Sequence, residues 1–321
     1  MKIKEKTLTA LIPAKNSGHE ITNAIESIKW LDFIEIVVGD MASADDTVKV
    51  AEELGVRVVA LGSGRRDDAL NRLAAEAKTP HKLLLYPWEG LMQGHNPLFH
   101  FKGNVGYVRI FQDSTFTWDA RLWKGDRKFA NPVHEQLDVD DGDHLGTVFF
   151  SKGRSDLGDP DYIAALGKWK EENPLSARPY YYHACALLSQ CKYDDFLAMA
   201  DHYLFLDKTS SISAVMLRYY YAMVQITQKR AFKPALQNLN LCLCANPLMA
   251  EFWCLTGDVY YHLLHRFDQA KVFYDNAMIL GAKRLFKERW PMDVSKYREY
   301  PTKMISSCEN LMAGKSFFGK L

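Results

Sequence analysis

The sequence has no long apolar run and few cysteines, the residues that form disulfide bonds and bind zinc. None of its apolar stretches approaches the roughly 20 residues that a membrane-spanning helix requires. Its opening residues are rich in lysine, and no apolar segment with a small-residue cleavage site follows them. All six cysteines lie in the second half and none forms a Cys-x-x-Cys pair, so buried, reduced thiols are expected and a zinc site is not. We therefore expect a cytoplasmic protein without a transmembrane segment.

The composition is that of a folded globular protein and excludes disordered, collagen-like and coiled-coil chains. Of 321 residues, 48% are hydrophobic, 25% are charged and 12% are aromatic. That length exceeds what one hydrophobic core usually organises, which favours two domains. The net charge of +1 conceals a basic excess in residues 281–321. Such an excess is typical of a solvated surface but would also suit an anionic acceptor.

Short apolar runs alternate with amphipathic stretches through the first half of the chain. They predict strands over residues 7–13, 34–38, 56–61 and 82–86, and helices over residues 20–30, 44–54 and 67–77. Strands and helices that alternate at this pace form right-handed crossovers and a mostly parallel sheet. Since such sheets bind ligands at the carboxyl ends of their strands, residues 13–16, 39–46 and 86–89 are candidate ligand contacts.

The second half is predicted to be helical throughout from about residue 161. Asn-Pro-Leu at residues 173–175 recurs at residues 246–248, a spacing that fits two periods of about 36 residues. The last period follows the tetratricopeptide pattern, with one extra residue in the turn, at Trp253, Gly257, Tyr260, Ala270, Tyr274 and Ala277. Three such helix pairs, each burying its apolar face against its neighbours, are predicted to form one continuous core.

Four segments of the first half carry a resemblance to a known enzyme family. The first two are Leu-Ile-Pro-Ala-Lys-Asn at residues 11–16 and Val-Val-Gly-Asp-Met-Ala-Ser-Ala-Asp-Asp-Thr at residues 37–47. The third is Asn71, and the fourth is Arg-Leu-Trp at residues 121–123 followed by Phe129 and by Val-His-Glu at residues 133–135. With these segments the chain resembles the inverting family-2 glycosyltransferases of the GT-A fold, especially bacterial lipopolysaccharide-core glucosyltransferases.

The resemblance covers about residues 7–153 and implies a two-domain organisation. Residues 1–155 would form an α/β GT-A domain, which is Rossmann-like with a mixed, mostly parallel sheet. Residues 156–321 would form an all-α, tetratricopeptide-like repeat domain with a basic C-terminal cap.

The resemblance also implies roles for individual residues. Glu135 would be the general base, because an inverting transfer needs a carboxylate on the face opposite the leaving group, and His134 would share that role or orient the acceptor. The donor-binding residues would be Pro13, Ala14, Asn16, Asp40, Ser43, Arg66, Asn71, Trp88, Glu89, Arg121 and Lys152. Some of these have a structural alternative. Asp40 or Ser43 would then cap a helix, Arg121 would form a salt bridge, and Trp88 would be a core aromatic.

The chain departs from the family where a metal would bind. In place of the family's Asp-x-Asp pair it has Tyr-Pro-Trp-Glu at residues 86–89, and Ser151-Lys152 stands where relatives place a histidine. Glu89 alone is left to offer oxygen, whereas Mg²⁺ and Mn²⁺ prefer several oxygen ligands. Either the domain no longer catalyses, or cations neutralise the leaving group without a metal. The candidate cations are Lys152, Arg65, Arg66 and Arg121.

We therefore predict an inverting hexosyl- or pentosyltransferase that uses a nucleotide sugar, UDP-linked, and does not depend on a metal. Its acceptor is predicted to be a glycan, a peptide or protein, or a modified DNA base of the phage type. The repeats would bind the acceptor or mediate dimerisation. The basic, aromatic-rich stretch over residues 283–320 would suit nucleic acid or form an ordinary capping helix. The alternative function is a non-catalytic scaffold whose repeats recruit a partner and whose first domain is degenerate.

Overall fold

A computed structural model of the chain describes residues 6–92, 101–133, 135–139, 142–153, 157, 159–284 and 290–314. The chain divides into two units, Met1–Ala165 and Leu166–Leu321. The first unit is an α/β structure and the second is helical. Within the described ranges, no helix has both the length and the apolar character needed to cross a membrane.

The first unit is built on one mixed sheet. Its strands are β1 (Leu8–Ala14), β2 (Ile34–Asp40), β3 (Arg57–Ala60), β4 (His81–Leu84), β5 (Glu89–Leu91), β6 (Val105–Gln112), β7 (Thr115–Lys124) and β10 (Asp143–Ser151), while β8 (Phe129–Ala130) and β9 (Gln136–Leu137) form a separate pair. The strand order is β3-β2-β1-β4-β7-β6-β10-β5. Neighbours among β1 to β4 run parallel, whereas β7 runs antiparallel to both β4 and β6. The carboxyl ends of the four parallel strands therefore meet at one edge.

Helices cover both faces of the parallel strands. They are α1 (Ile21–Lys29), α2 (Thr47–Glu53) and α3 (Arg66–Ala75). Ile12 belongs to the cluster of buried side chains that contains the apolar face of α1, and Leu11 belongs to the cluster that contains the apolar face of α3. Every residue of β1 is buried, which explains why this strand is a continuous apolar run in the sequence. At Gly39 an added Cβ would lie 2.8 Å from a side-chain carbon of Leu73 in α3, so only glycine lets α3 pack this closely on β2.

The second unit consists of antiparallel helix pairs. Helix α4 (Pro160–Glu172) contains the boundary between the units, and the helices after it are α5 (Arg178–Ser189), α6 (Tyr193–Leu206), α7 (Ile212–Thr227), α8 (Phe232–Ala245), α9 (Ala250–Asp258), α10 (Phe267–Gly281) and α11 (Glu299–Met312). Helices α5 and α6, α7 and α8, and α9 and α10 pack as successive pairs, and α11 packs on α10. A two-residue strand, β11 (Met292–Asp293), and a 3-10 turn (Val294–Tyr297) precede α11.

The third pair shows how the tetratricopeptide pattern specifies its packing. Ala270, Tyr274 and Ala277 are fully buried along one face of α10. Gly257 of α9 lies against the Tyr274 ring, where a Cβ would come within 2.7 Å of a ring carbon. A π-helical turn, Val259–Leu263, follows α9 and takes up one residue more than an α-helical turn would, which matches the extra residue in the sequence pattern. The predicted α/β GT-A fold followed by an all-α, tetratricopeptide-like array is confirmed.

The cysteines only partly follow the sequence-based expectation. All six are free, and Cys242, Cys254 and Cys308 are buried as expected. Cys191 and Cys244 are exposed, so the expectation of buried thiols is wrong for these two. Cys191 stands at the turn between α5 and α6 with a φ of 57°, and Cys244 lies near the end of α8 on its outer side.

The first pair of helices contains a histidine that we expect to make the protein acid-sensitive. Nδ1 of His183 lies 2.6 Å from Nζ of Lys170. Burial, together with the charge of Lys170, lowers the pKa of His183 to about 4. The folded state thus favours the neutral imidazole. The contribution of His183 to the free energy of unfolding is therefore complete above the ordinary pKa near 6.5 and is lost as the pH falls towards 4.

We expect the free energy of unfolding to fall by about 2 kcal/mol between pH 6.5 and pH 4, after allowing for partial solvent screening. The measurement is urea unfolding across this pH range. His183→Gln should flatten this part of the profile, whereas His262→Gln, which changes an exposed histidine of the same unit, should leave it unchanged. An unaltered profile in His183→Gln would contradict the prediction.

Candidate functional site

The loops that follow β1 and β2 are joined by their own side chains. The backbone N–H of Asn16 donates to Oγ of Ser43 at 3.0 Å, and Oδ1 of Asn16 accepts from the N–H of Ala44 at 2.8 Å. Oδ1 of Asp40 accepts from the N–H of Ser43 at 3.1 Å. Asn16 and Ala42 both have positive φ angles, 50° and 60°, a left-handed conformation that is uncommon for non-glycine residues. Asn16, Asp40 and Ser43 are therefore brought together, as predicted, at the carboxyl edge of the sheet.

Asp45 fastens this loop to the start of α2. Its carboxylate accepts hydrogen bonds from the N–H groups of Gly18 and Thr47, each at 3.0 Å, and from the Thr47 hydroxyl. Burial opposes ionisation, but these hydrogen bonds outweigh it and lower the pKa of Asp45. Asp45 is thus a structural element of the loop.

Pro13 and Ala14, which were predicted to contact the donor, lie inside β1. Both are buried and are paired in register with Gly39 and Asp40 of β2. Their side chains pack in the interior, so any contribution to a ligand comes through the position they give to the loop that begins at Lys15.

A buried ion pair occupies the region where the family's Asp-x-Asp pair would stand. Glu89 is 2% exposed and Arg121 is 5% exposed. The two guanidinium NH₂ groups donate to the two carboxylate oxygens at 3.1 and 2.8 Å, and the N–H of Tyr86 donates to Oε2 of Glu89 at 3.0 Å. Nε of Arg121 donates to Asp119 at 2.9 Å. Of the two roles considered for Arg121, the structure assigns it the salt bridge.

The electrostatics of this pair follow from its burial. Desolvation raises the pKa of Glu89, and the charge of Arg121 and the N–H of Tyr86 counteract part of that rise. Desolvation also opposes the charge of Arg121, but Glu89 and Asp119 outweigh it and raise the pKa of the guanidinium. Arg121 is therefore a permanent positive charge in the floor of the site.

Two aromatic side chains cover this ion pair. The rings of Tyr86 and Trp88 stack with their centroids 4.9 Å apart and an interplanar angle of 4°. The guanidinium carbon of Arg121 lies 4.6 Å from the centroid of the Tyr86 ring, within the range of a cation–π contact. Both aromatic residues are 8% exposed, so Trp88 stacks on a protein ring and presents little surface to a ligand.

Glu135 is connected to this cluster from the other side. Its Oε1 pairs with Nε of Arg66, the first residue of α3, and its Oε2 accepts from the Tyr86 hydroxyl at 3.4 Å. The Glu135 side chain has no exposed surface, whereas that of Arg66 is 18% exposed. The N–H of Arg66 also donates to the carbonyl of Pro132 at 3.4 Å, which fixes the loop before Glu135 against the helix. The predicted partner of Glu135, His134, lies outside the described residues.

Asn71, another predicted donor contact, has a different role. Its amide NH₂ donates to the carbonyl of Phe129 at 3.0 Å and its amide oxygen accepts from the Phe129 N–H at 2.8 Å. Both polar ends of the side chain thus hold β8 on α3. Because β8 and β9 lie on either side of the loop to Glu135, the expectation that Asn71 contacts the donor is replaced by a role in positioning that loop.

The remaining predicted cations differ in how they are held. Nε and one NH₂ group of Arg65 donate to the two carboxylate oxygens of Asp67, at 3.1 and 2.8 Å. Lys152 is exposed, and its backbone N–H donates to the carbonyl of Trp88 at 3.0 Å. Lys152 therefore stands next to the aromatic pair with its side chain on the surface.

The donor atoms of this site do not fit a divalent metal. Both oxygens of Glu89 are held by Arg121, and Mg²⁺ or Mn²⁺ would need several further oxygen ligands. Among the described residues, no group of three or more His, Cys, Asp or Glu side chains is arranged to hold a metal ion. A positive charge is already built into this part of the site as Arg121.

Sequence reasoning missed Asp119 as a member of the site. Asp119 and Arg121 are two residues apart in β7, which indicates that they share one face of a strand, and this alternation was available in the sequence. Tyr86 fell within residues 86–89, which were predicted to contact a ligand, but no contact with other side chains was predicted for it. Its hydroxyl, ring face and backbone N–H contact Glu135, Arg121 and Glu89, respectively, and a single sequence gives no signal for such tertiary contacts.

The inner side of the repeat array is in contact with the chain's own later segment. Trp290 packs among residues of α7 and α9, including Met216 and Phe252. The two oxygens of Glu251 accept from the N–H of Asp293 at 2.7 Å and the hydroxyl of Tyr297 at 2.9 Å. This part of the α7–α9 surface is therefore covered within the unit.

One family of known proteins matches part of the first unit. The family described as Glycosyl transferase family 2 matches residues 9–85, which run from β1 to the residue after β4. That match supports glycosyl transfer as the activity of the first unit. A search of curated proteins finds no match.

Solved structures resemble one unit or the other. Glucosyl-3-phosphoglycerate synthase from Mycobacterium tuberculosis, in complex with Mn²⁺, uridine diphosphate and glucosyl-3-phosphoglycerate, is 26% identical over 34% of this chain and 44% of its own, with a TM-score of 0.28. The first TPR domain of human RPAP3 is 16% identical over 44% of this chain and 97% of its own, with a TM-score of 0.35. MamA from Desulfovibrio magneticus RS-1 is 18% identical over 49% of this chain and 86% of its own, also with a TM-score of 0.35.

Proposed function

We propose that the first unit is an inverting glycosyltransferase that takes a sugar from a UDP-linked donor and works without a divalent metal. The observation that carries this proposal is the placement of Glu135. Its carboxylate contacts Tyr86, just after β4, and Arg66, at the start of α3. It thus lies at the same carboxyl edge of the sheet as the loop of Asp40, and that loop belongs to the segment, residues 9–85, whose sequence matches a glycosyltransferase family.

The chemistry assigns a role to each part of this edge. The acceptor hydroxyl attacks the anomeric carbon, its proton passes to the Glu135 carboxylate, and the bond from that carbon to the diphosphate oxygen breaks. The departing diphosphate carries the bonding electron pair, so cations must stand near it. Arg66 and Lys152 have exposed side-chain surface and can reach it. Asp40 and Ser43 would bind the nucleoside, because a carboxylate accepts hydrogen bonds from a base N–H or from ribose hydroxyls.

The Glu89–Arg121 pair is the observation that supports metal independence. In a metal-dependent site, acidic oxygens hold a cation against the diphosphate. Here the acidic oxygen atoms hold a guanidinium instead, so the positive charge belongs to the protein. Arg121 is also paired with Asp119, so its charge is balanced within this cluster, and the cations that remain to face the diphosphate are Arg66 and Lys152.

The acceptor is a glycan, a peptide or protein side chain, or a modified DNA base, and the protein works in the cytoplasm. The repeat array would bind that acceptor or join two copies of the chain. The surface of α7 and α9 that contacts Trp290 is already covered, so an acceptor held by the array would lie on other parts of it. A hexose or a pentose is the sugar transferred.

The proposal is tested by binding and hydrolysis of a panel of UDP-, GDP-, ADP- and dTDP-linked sugars, with and without EDTA. We expect one UDP-sugar to bind and to be hydrolysed slowly at a rate that EDTA does not change. Activity that EDTA abolishes and Mn²⁺ restores would contradict metal independence. Binding of no donor at all would favour the alternative function, a scaffold that recruits a partner through the repeats, for which the engagement of Glu89 by Arg121 is the supporting observation.

A further inference from the structure

The general base of the proposed reaction is covered in this structure. A base must contact the acceptor hydroxyl from which it takes a proton. The Glu135 side chain is fully buried, with one oxygen paired to Arg66 and the other hydrogen-bonded to Tyr86. At least one of these partners must move before an acceptor can reach the carboxylate.

Arg66 is the partner that a donor can displace. Its side chain is partly exposed, whereas Tyr86 is confined between Trp88 and Arg121. Arg66 is also the first residue of α3, a ten-residue helix whose N-terminus carries a partial positive charge. The neighbouring acidic residues are Asp67, which is paired with Arg65, and Asp68, which is exposed. A diphosphate that binds at this edge would therefore lie near the guanidinium of Arg66, which is held by the buried carboxylate of Glu135.

We propose that Arg66 couples donor binding to the release of the base. Without donor it holds Glu135 through Oε1, and with donor bound its guanidinium turns to the diphosphate and leaves that oxygen open to the acceptor. This inference rests on the proposed function. It makes Arg66 a positioning residue that keeps the base covered until a donor is present.

The coupling has a consequence that a simple phosphate-binding arginine would not have. The Glu135 carboxylate and the diphosphate compete for the same guanidinium, so removing the negative charge of Glu135 should strengthen nucleotide binding. Glu135→Gln keeps the size of the side chain and an oxygen that accepts from Arg66, but the charge-assisted part of the pair is lost. UDP should then bind about tenfold more tightly.

The experiment is isothermal titration of the full chain with UDP. Glu53→Gln serves as the matched control, because it removes one negative charge from an exposed position at the end of α2. We expect it to leave the affinity for UDP unchanged. Arg66→Gln should weaken UDP binding, and adding Glu135→Gln to it should then produce no gain. Circular dichroism of each variant verifies that the fold is retained.

The outcomes separate this inference from the proposed function. If the unmodified chain binds no nucleotide, both fail. If it binds UDP but Glu135→Gln does not bind more tightly than the unmodified chain, the coupling is wrong and the transferase proposal stands. Equal tightening in Glu53→Gln would assign the effect to overall charge and would also overturn the coupling. Should Arg66→Gln fail to fold, the affinities of Glu135→Gln and Glu53→Gln for UDP still decide whether the coupling holds.

Discussion

Replacing Glu135 with glutamine should lower kcat for sugar transfer by about 10²- to 10⁴-fold, the usual contribution of a positioned general base. The amide has the same shape as the carboxylate and still accepts a hydrogen bond from Arg66, but it cannot take the acceptor proton. The rate of donor hydrolysis measures the effect before the acceptor is known, because water then stands in for the acceptor. Donor binding should be retained, so the loss appears in kcat and not as a weaker complex.

Glu53→Gln is again the control, and we expect it to keep full activity. A Glu135→Gln variant that is folded and retains its hydrolysis rate would show that another residue takes the proton. His134 would then be the residue to replace next, because it precedes Glu135 directly in the sequence.

The first four strands could be predicted from the sequence because they are short runs rich in apolar residues, and β1 and β2 are buried almost throughout. A strand covered on both faces, as β1 is, shows as an uninterrupted apolar run, and the amphipathic helices between such runs mark the crossovers. Strands β6, β7 and β10 mix buried and exposed residues. Their pairing depends on contacts distant in sequence, so their order in the sheet was not predicted.

The part of the candidate site that lies at the ends of the parallel strands could be predicted from the sequence. Asp40, Ser43 and Asn16 fall together because β1 and β2 are neighbouring parallel strands. The roles of Asn71 and Arg121 were not predictable, because each is decided by a partner far along the chain. Asn71 pairs with the backbone at Phe129, and Arg121 pairs with Glu89. Residue type alone is compatible with a ligand contact and with an internal contact.

In the repeats too, contacts between neighbouring segments could be predicted from the sequence and contacts between distant segments could not. Small and aromatic residues at fixed spacing, such as Gly257 and Tyr274, predict helix pairs because each pair is a local unit. The contact of Trp290 with α7 and α9 joins segments that are separated by tens of residues, and no periodicity reports it. For the basic C-terminal stretch, the sequence left two interpretations open: a contact with nucleic acid and a capping helix. Its described helix, α11, packs on α10 and buries Met304 and Cys308.

Replacing Arg121 with methionine should lower the free energy of unfolding by about 3–5 kcal/mol, because it leaves the Glu89 carboxylate buried without its counter-charge. Glu89 is 2% exposed and takes two of its hydrogen bonds from this guanidinium. The measurement is urea unfolding of the full chain followed by circular dichroism. Arg57→Met is the matched control, since Arg57 pairs with Glu76 at the surface, and its loss should cost about 0–1 kcal/mol.

The double variant Arg121→Met with Glu89→Leu separates the charge from the packing. Two apolar side chains of similar volume leave no buried charge, so most of the lost stability should return. The same variant is informative about catalysis, because its fold is restored while the ion pair of the site is gone. If stability returns and donor hydrolysis does not, the Glu89–Arg121 pair itself is needed for transfer. If both return, the pair is structural, and the charge on the diphosphate must be met by Arg66 and Lys152 alone.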